Sequence, residues 1–192
     1  MSLAFTVLYG SVRSARQGIK YARFLTAQLA ARGHTVTLID PLEYRLPLVD
    51  RRYREYAQGT APEPLPKLAD ILRTADGFLF VTGEYNFGIP PALKNLLDHF
   101  VEEWYWRPAA IACYSAGAFG GVRAAMQLRI TLGALGMASI PSIQPMPHVH
   151  DQFDEDGTSR DAAHERRVVR FLEEFEWYAK ALKTARAESV PH

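Results

Sequence analysis

Five short apolar runs recur along this chain, each followed by a helical pattern, and that alternation constrains the fold more than any other feature. The runs are Leu3 to Tyr9, Thr35 to Ile39, Gly77 to Thr82, Ala109 to Tyr114 and Ala138 to Ile143, rich in β-branched, aliphatic and aromatic residues. The helical patterns cover Gln17 to Arg32, Leu65 to Ala75, Pro91 to Phe100, Val122 to Leu135 and Asp161 to about Ala187. Strands that are apolar along most of their length are buried on both faces. The pattern therefore predicts an α/β fold, a five-stranded parallel sheet with helices on both faces. Right-handed crossovers leave few topologies, and ligands of such sheets sit at the carboxyl ends of the strands, beside the switch in strand order.

A length of 192 residues with 48% hydrophobic content predicts one domain over residues 1–192. The 22 basic and 21 acidic residues give a net charge of +1, so no basic excess favours nucleic acid or an anionic membrane. Cys113 lies in an apolar run and has no second cysteine to pair with, which fits a buried thiol and a reducing compartment. No apolar stretch approaches the roughly 20 residues that cross a bilayer, and the start of the chain lacks a secretory pattern. A cytoplasmic protein is expected.

Three loops come after the first, third and fourth runs. In the first, Ser11 offers a hydroxyl, Arg13 and Arg16 offer guanidiniums, and the N–H groups near Gln17 and Gly18 open a helix. A strand, a polar turn and a helix N-terminus together suit a phosphate, although a plain turn with two solvated arginines reads the same way. Neither a G-x-x-x-x-G-K-[ST] nor a G-x-G-x-x-G pattern is present there. The second loop runs from Thr82 to Pro91 and places Glu84, Tyr85, Asn86 and Phe87 beside the first, with Pro90-Pro91 opening a helix. An ordinary strand-to-helix turn with core aromatics is its alternative. The third loop, Ser115-Ala116-Gly117-Ala118-Phe119-Gly120-Gly121, is nearly stripped of side chains, which lets a flat ring system lie against its backbone N–H groups.

With these motifs the chain resembles the NAD(P)H-dependent FMN reductase family, of flavodoxin-like fold, which includes quinone, chromate and azo-dye reductases. The resemblance rests on Gly10-Ser11-x-Arg13 with Arg16-x-Gly18; on Glu84-Tyr85-Asn86 leading to Pro91-x-Leu93-Lys94-Asn95-x-x-Asp98; and on Ser115-x-Gly117-x-x-Gly120-Gly121 with Gln127-Leu128-Arg129 after it. It extends to Phe153-Asp154-Glu155-Asp156-Gly157 and so spans nearly the whole chain. The family usually carries proline before Glu-Tyr-Asn, where this chain has Gly83. The resemblance implies a flavodoxin-like three-layer sandwich that binds FMN. Ser11, Arg13, Gln17, Gly18 and Ile19 would hold the phosphate, and Glu84 to Phe87 with Ser115 to Gly121, including Gly117, Ala118, Gly120 and Gly121, would frame the isoalloxazine.

The same resemblance implies an oxidoreductase that needs no side-chain nucleophile, because hydride passes from NADPH or NADH to the flavin and on to a small acceptor. A two-step exchange is expected, in which the nucleotide leaves before the acceptor enters. A homodimer or homotetramer is implied, and the long segment from Pro41 to Pro66 is a candidate for reaching a neighbour. Two other readings are an electron carrier of flavodoxin type, which the near-neutral charge disfavours, and a flavin-binding regulatory domain. His148, His150 and Asp151 read as a polar surface turn rather than metal ligands, and Ser115 lacks the G-x-S-x-G setting of a hydrolase nucleophile. Trp104-Tyr105-Trp106 is expected to pack under the sheet edge, with a wall of the substrate pocket or a subunit contact as the alternatives. Arg45, Arg51, Arg52 and Arg123 are the candidates for a ribose phosphate of NADPH.

Overall fold

The computed structural model describes residues 1–191. Its strands are β1 (Ala4–Tyr9), β2 (Thr35–Ile39), β3 (Gly77–Gly83), β4 (Pro108–Tyr114) and β5 (Ala138–Met146). The helices are α1 (Gly18–Ala31), α2 (Leu65–Thr74), α3 (Pro91–His99), α4 (Val122–Ala134) and α5 (Ala163–Glu188). All strand pairs are parallel and the order is β2-β1-β3-β4-β5. This is the parallel sheet covered on both faces that the alternation predicts, and the flavodoxin-like three-layer arrangement that the resemblance implies.

Strand side chains alternate between two cores, as the pleat requires. Along β3, Leu79 and Val81 face a layer built with Tyr21, Leu25, Phe171 and Phe175 of α1 and α5. Phe78 and Phe80 face the opposite layer, with Leu68 of α2, Leu97 of α3 and Leu128 of α4. Each of these leucines is fully buried, which stabilises the fold by about 1.5–3 kcal/mol per side chain.

Helix ends obey local chemistry. Pro91 opens α3 at a position that needs no N–H donor. Gly33, just past α1, takes φ +85° and donates to the Ala30 carbonyl at 2.9 Å, the left-handed cap its position predicts. One strand differs from expectation: β5 continues past Ile143 to Met146, carrying Pro141 and Pro145 within it. Those prolines mask the strand pattern in sequence, and the structure admits them because β5 lies at the edge of the sheet.

Trp104 is fully buried against Phe78 and Phe80, and its indole N–H is shared between the Leu97 and Phe100 carbonyls. Packing beneath the sheet is thus its use. Asn95 fastens the 41–66 segment to α3, donating to the Pro47 carbonyl at 2.8 Å and accepting from the Val49 N–H at 3.0 Å. Cys113 is fully buried, and burial pushes its thiol up to about 12, so it is inert near neutrality.

Candidate functional site

From β1 the chain turns one way to β2 and the other way to β3, so the loops after β1 and β3 open side by side at the carboxyl edge. A cavity of about 310 Å³ lies there. Ser11, Arg13, Arg16 and Gln17 form one wall, and Glu84, Tyr85 and Ser115 form another. These seven predicted residues meet in one place.

Tyr114 makes the floor. Its ring lies so close to Gly18 that a Cβ there would stand 2.0 Å from Cζ, and a Cβ on Gly83 would stand 3.0 Å from the same ring. Glycine at both positions is what lets a tyrosine fit between α1 and β3. Gly83 therefore goes with Tyr114, which accounts for the missing proline. The Tyr114 hydroxyl donates to the Tyr9 hydroxyl at 3.2 Å, and Ser11 Oγ lies 2.6 Å from the Tyr85 hydroxyl. Burial raises both the Tyr9 and Tyr114 phenols above their ordinary range, so the floor stays protonated and neutral.

Two charged residues are engaged differently from the sequence expectation. Arg16 forms a two-pronged ion pair with Asp40 and donates to the Ser11 carbonyl at 3.2 Å. Its guanidinium holds the β1–α1 loop in shape and is already paired with a carboxylate. Glu84 accepts from the Arg123 N–H at 3.1 Å and the Arg123 guanidinium at 2.9 Å, so its carboxylate caps α4 while the residue also lines the cavity. Arg13, by contrast, is exposed at the cavity wall.

Other predicted residues support the cavity from behind or beside it. Ile19, in the first turn of α1, is buried in the core. Asn86 and Phe87 take φ +50° and +66° in a tight turn closed by paired hydrogen bonds between Tyr85 and Gly88, at 3.1 and 2.9 Å. Phe87 and Phe119 are both exposed, and the Arg123 guanidinium lies 4.4 Å from each ring centre. Gly121 takes φ +82°, and a Cβ there would meet the Tyr114 carbonyl oxygen at 2.6 Å. Gly120 backs onto Pro145, while Gly117 faces open space and Ala118 is exposed.

Sequence reasoning missed Tyr114, Ala15, Val149 and His150, all of which line the cavity. His150 arrives on the short turn after β5 and pairs with Asp151 at 2.9 Å. That turn reads as surface in sequence because its docking is made by backbone, Val149 N–H to Ser115 O at 3.2 Å and His148 N–H to Gly117 O at 3.3 Å. The one legible clue to Tyr114 is the pair of glycines that make room for it.

An anion-suited turn beside two further loops, at the switch point of a doubly wound parallel sheet, is a flavodoxin-like arrangement. Residues 4–151 match the family model described as NADPH-dependent FMN reductase, and the chain belongs to that family. It is 32% identical over 166 residues to a quinone reductase of Pseudomonas putida, covering 81% of this chain and 83% of the relative. An NAD(P)H-dependent FMN reductase of Saccharomyces cerevisiae is 26% identical over 183 residues, covering 86% and 93%. One from Schizosaccharomyces pombe is 42% identical over 79 residues, and this match spans only 38% of its length. Among solved structures, the flavoenzyme NAD(P)H:(acceptor) oxidoreductase FerB of Paracoccus denitrificans superposes with a TM-score of 0.73 at 23% identity, covering 92% of this chain and 98% of that one.

Proposed function

We propose that residues 1–192 form one domain that binds FMN and passes hydride from NADPH or NADH to a small acceptor such as free flavin or a quinone. The observation that carries this reading is the β1–α1 turn. Gln17 precedes α1 with no side-chain cap, and the exposed Arg13 and the Ser11 hydroxyl stand beside those first N–H groups. A phosphate monoester fits that donor set. The low-bulk backbone from Ser115 to Gly121 fits a flat ring.

Bound flavin would supply the two-electron chemistry, and this chain supplies the setting for it. Ser11, Arg13 and the start of α1 would hold the phosphate, and Arg16 keeps their loop in place through Asp40. The turns around Asn86 and Ala116 to Gly120 would border the ring, and Glu84 locks the two together through α4. Orientation of this kind is the protein's main contribution to rate. The family description and the name of the Saccharomyces cerevisiae relative support use of a nicotinamide nucleotide and a flavin.

A small acceptor suits the open mouth of the site, and no helix among the described residues is long and apolar enough to cross a membrane. We propose a cytoplasmic location, on the lone buried Cys113 and the sequence pattern, and a homodimer or homotetramer, on the resemblance. The test is anaerobic reduction: purified protein loaded with FMN should bleach within a few turnovers of NADPH or NADH, with parallel lines in a two-substrate kinetic analysis. Protein that takes up FMN but stays oxidised in excess nucleotide would favour the electron carrier.

A further inference from the structure

Ser11 and Tyr85 stand on the two loops that flank the switch in strand order, and their hydroxyl oxygens meet at 2.6 Å across 74 positions of sequence. Both residues line the cavity, and Ser11 is only 2% exposed. Among the described residues the Tyr85 hydroxyl has Ser11 as its one hydrogen-bond partner. The turn behind Tyr85 sets its place. Asn86 and Phe87 hold φ +50° and +66°, a region that an aromatic residue adopts only under strain, and the paired bonds between Tyr85 and Gly88 close the turn. Strain kept beside a ligand cavity points to a function.

Acidity decides which of the two hydroxyls donates. A phenol, with a pKa of about 10, is a far stronger donor than an alkyl hydroxyl, and its oxygen lone pairs are drawn into the ring. Tyr85 therefore donates and Ser11 accepts. The Arg13 N–H also donates to Ser11 Oγ, at 3.4 Å, so both lone pairs of the serine are engaged by the protein. Tyr9 and Tyr114, bonded to each other at 3.2 Å, also interact with Ser11, but burial keeps each phenol protonated and so a donor rather than a competitor for the serine proton. That proton is left for a ligand, on a buried oxygen that lines the cavity.

We infer that Tyr85 serves the anion end of the site: its hydroxyl fixes the direction of the Ser11 proton, and the pair selects a ligand end that only accepts hydrogen bonds. A phosphate monoester dianion is such an end, and the terminal hydroxyl of a dephosphorylated flavin is not. The inference rests on the FMN reading and changes one part of it, since the resemblance sets Tyr85 against the isoalloxazine. Tyr85 is a positioning residue, and it reaches the phosphate through Ser11.

Fluorescence titration of the full chain with FMN and with riboflavin tests this. Tyr85→Phe keeps the aromatic ring and removes one hydroxyl, so it should weaken FMN about fivefold, the worth of one neutral hydrogen bond, and leave riboflavin within about twofold. The double variant Ser11→Ala with Tyr85→Phe should bind FMN no more weakly than Ser11→Ala alone, because the tyrosine acts only through the serine. A tyrosine that merely packs would cost both flavins alike and would add to the serine's loss. The assignment is overturned if Tyr85→Phe holds FMN as the wild type does, if it loses both flavins equally, if the two losses add, or if the wild type binds FMN no better than riboflavin. A wild type that takes up neither flavin overturns the FMN reading along with it. Should the predicted differences hold while neither NADPH nor NADH reduces the bound flavin, the hydroxyl pair stands and the oxidoreductase reading falls.

Discussion

Glu84 and Arg123 join through both main chain and side chain: the carboxylate accepts from the Arg123 N–H at 3.1 Å and from its guanidinium at 2.9 Å. The bond stitches the loop after β3 to the first turn of α4, immediately behind the glycine loop. Replacing Glu84 with alanine removes a helix cap and an ion pair at once. Urea unfolding should register a loss of about 1–2 kcal/mol. Fluorescence titration should show weaker FMN binding, and Glu84→Gln should fall between the two, since its amide oxygen still accepts.

Ser11→Ala should act on cofactor uptake more than on folding. The hydroxyl sits 2.6 Å from the Tyr85 hydroxyl and borders the anion-suited turn. Its loss should weaken FMN about tenfold, the worth of one hydrogen bond to a charged group, while riboflavin, lacking the phosphate, should bind almost as before. An equal drop for both ligands would place the serine against the ring instead.

At Gly18 the prediction concerns stability. A methyl group 2.0 Å from the Tyr114 ring cannot be accommodated without moving that ring, so Gly18→Ala should cost about 1–3 kcal/mol by thermal or chemical denaturation. An alanine that left the melting curve unaltered would mean the tyrosine floor is not tightly held.

Acid should weaken the fold in two stages. Burial lowers the His164 imidazole below its ordinary value of about 6.5, so the unfolded chain binds that proton more readily; the associated stability is complete above about pH 6.5 and declines below it. Burial pushes the Glu176 carboxyl up, but hydrogen bonds from Arg32 and His34 outweigh it and the net lies below the usual carboxylate range. Its contribution is present above about pH 4.3 and fades as the pH falls further. Melting temperature measured against pH should lose the upper stage in His164→Gln and the lower one in Glu176→Gln.

The layers were readable because short continuous apolar runs and period-3.6 patterns leave separate marks in a sequence, as Phe78 to Val81 and Leu65, Leu68 and Leu72 illustrate. The end of β5 was not, since Pro141 and Pro145 imitate loop chemistry. At the site, the loops were legible as backbone: glycines, a helix opening and a proline start. Side-chain partnerships were not. Nothing local announces that Arg16 reaches Asp40, 24 residues on, or that Tyr114 lies between Gly18 and Gly83 from other parts of the chain. Such pairings depend on which strands adjoin, and that is a property of the whole topology.

Pro141 and Pro145 have a consequence beyond the length of β5. An outermost strand offers a row of unmatched N–H groups to any passing extended segment, and this is how sheets recruit one another into aggregates. Two residues without an N–H, four positions apart, deny an intruder a continuous ladder on this flank. The same residues that hid the strand thus guard its open edge.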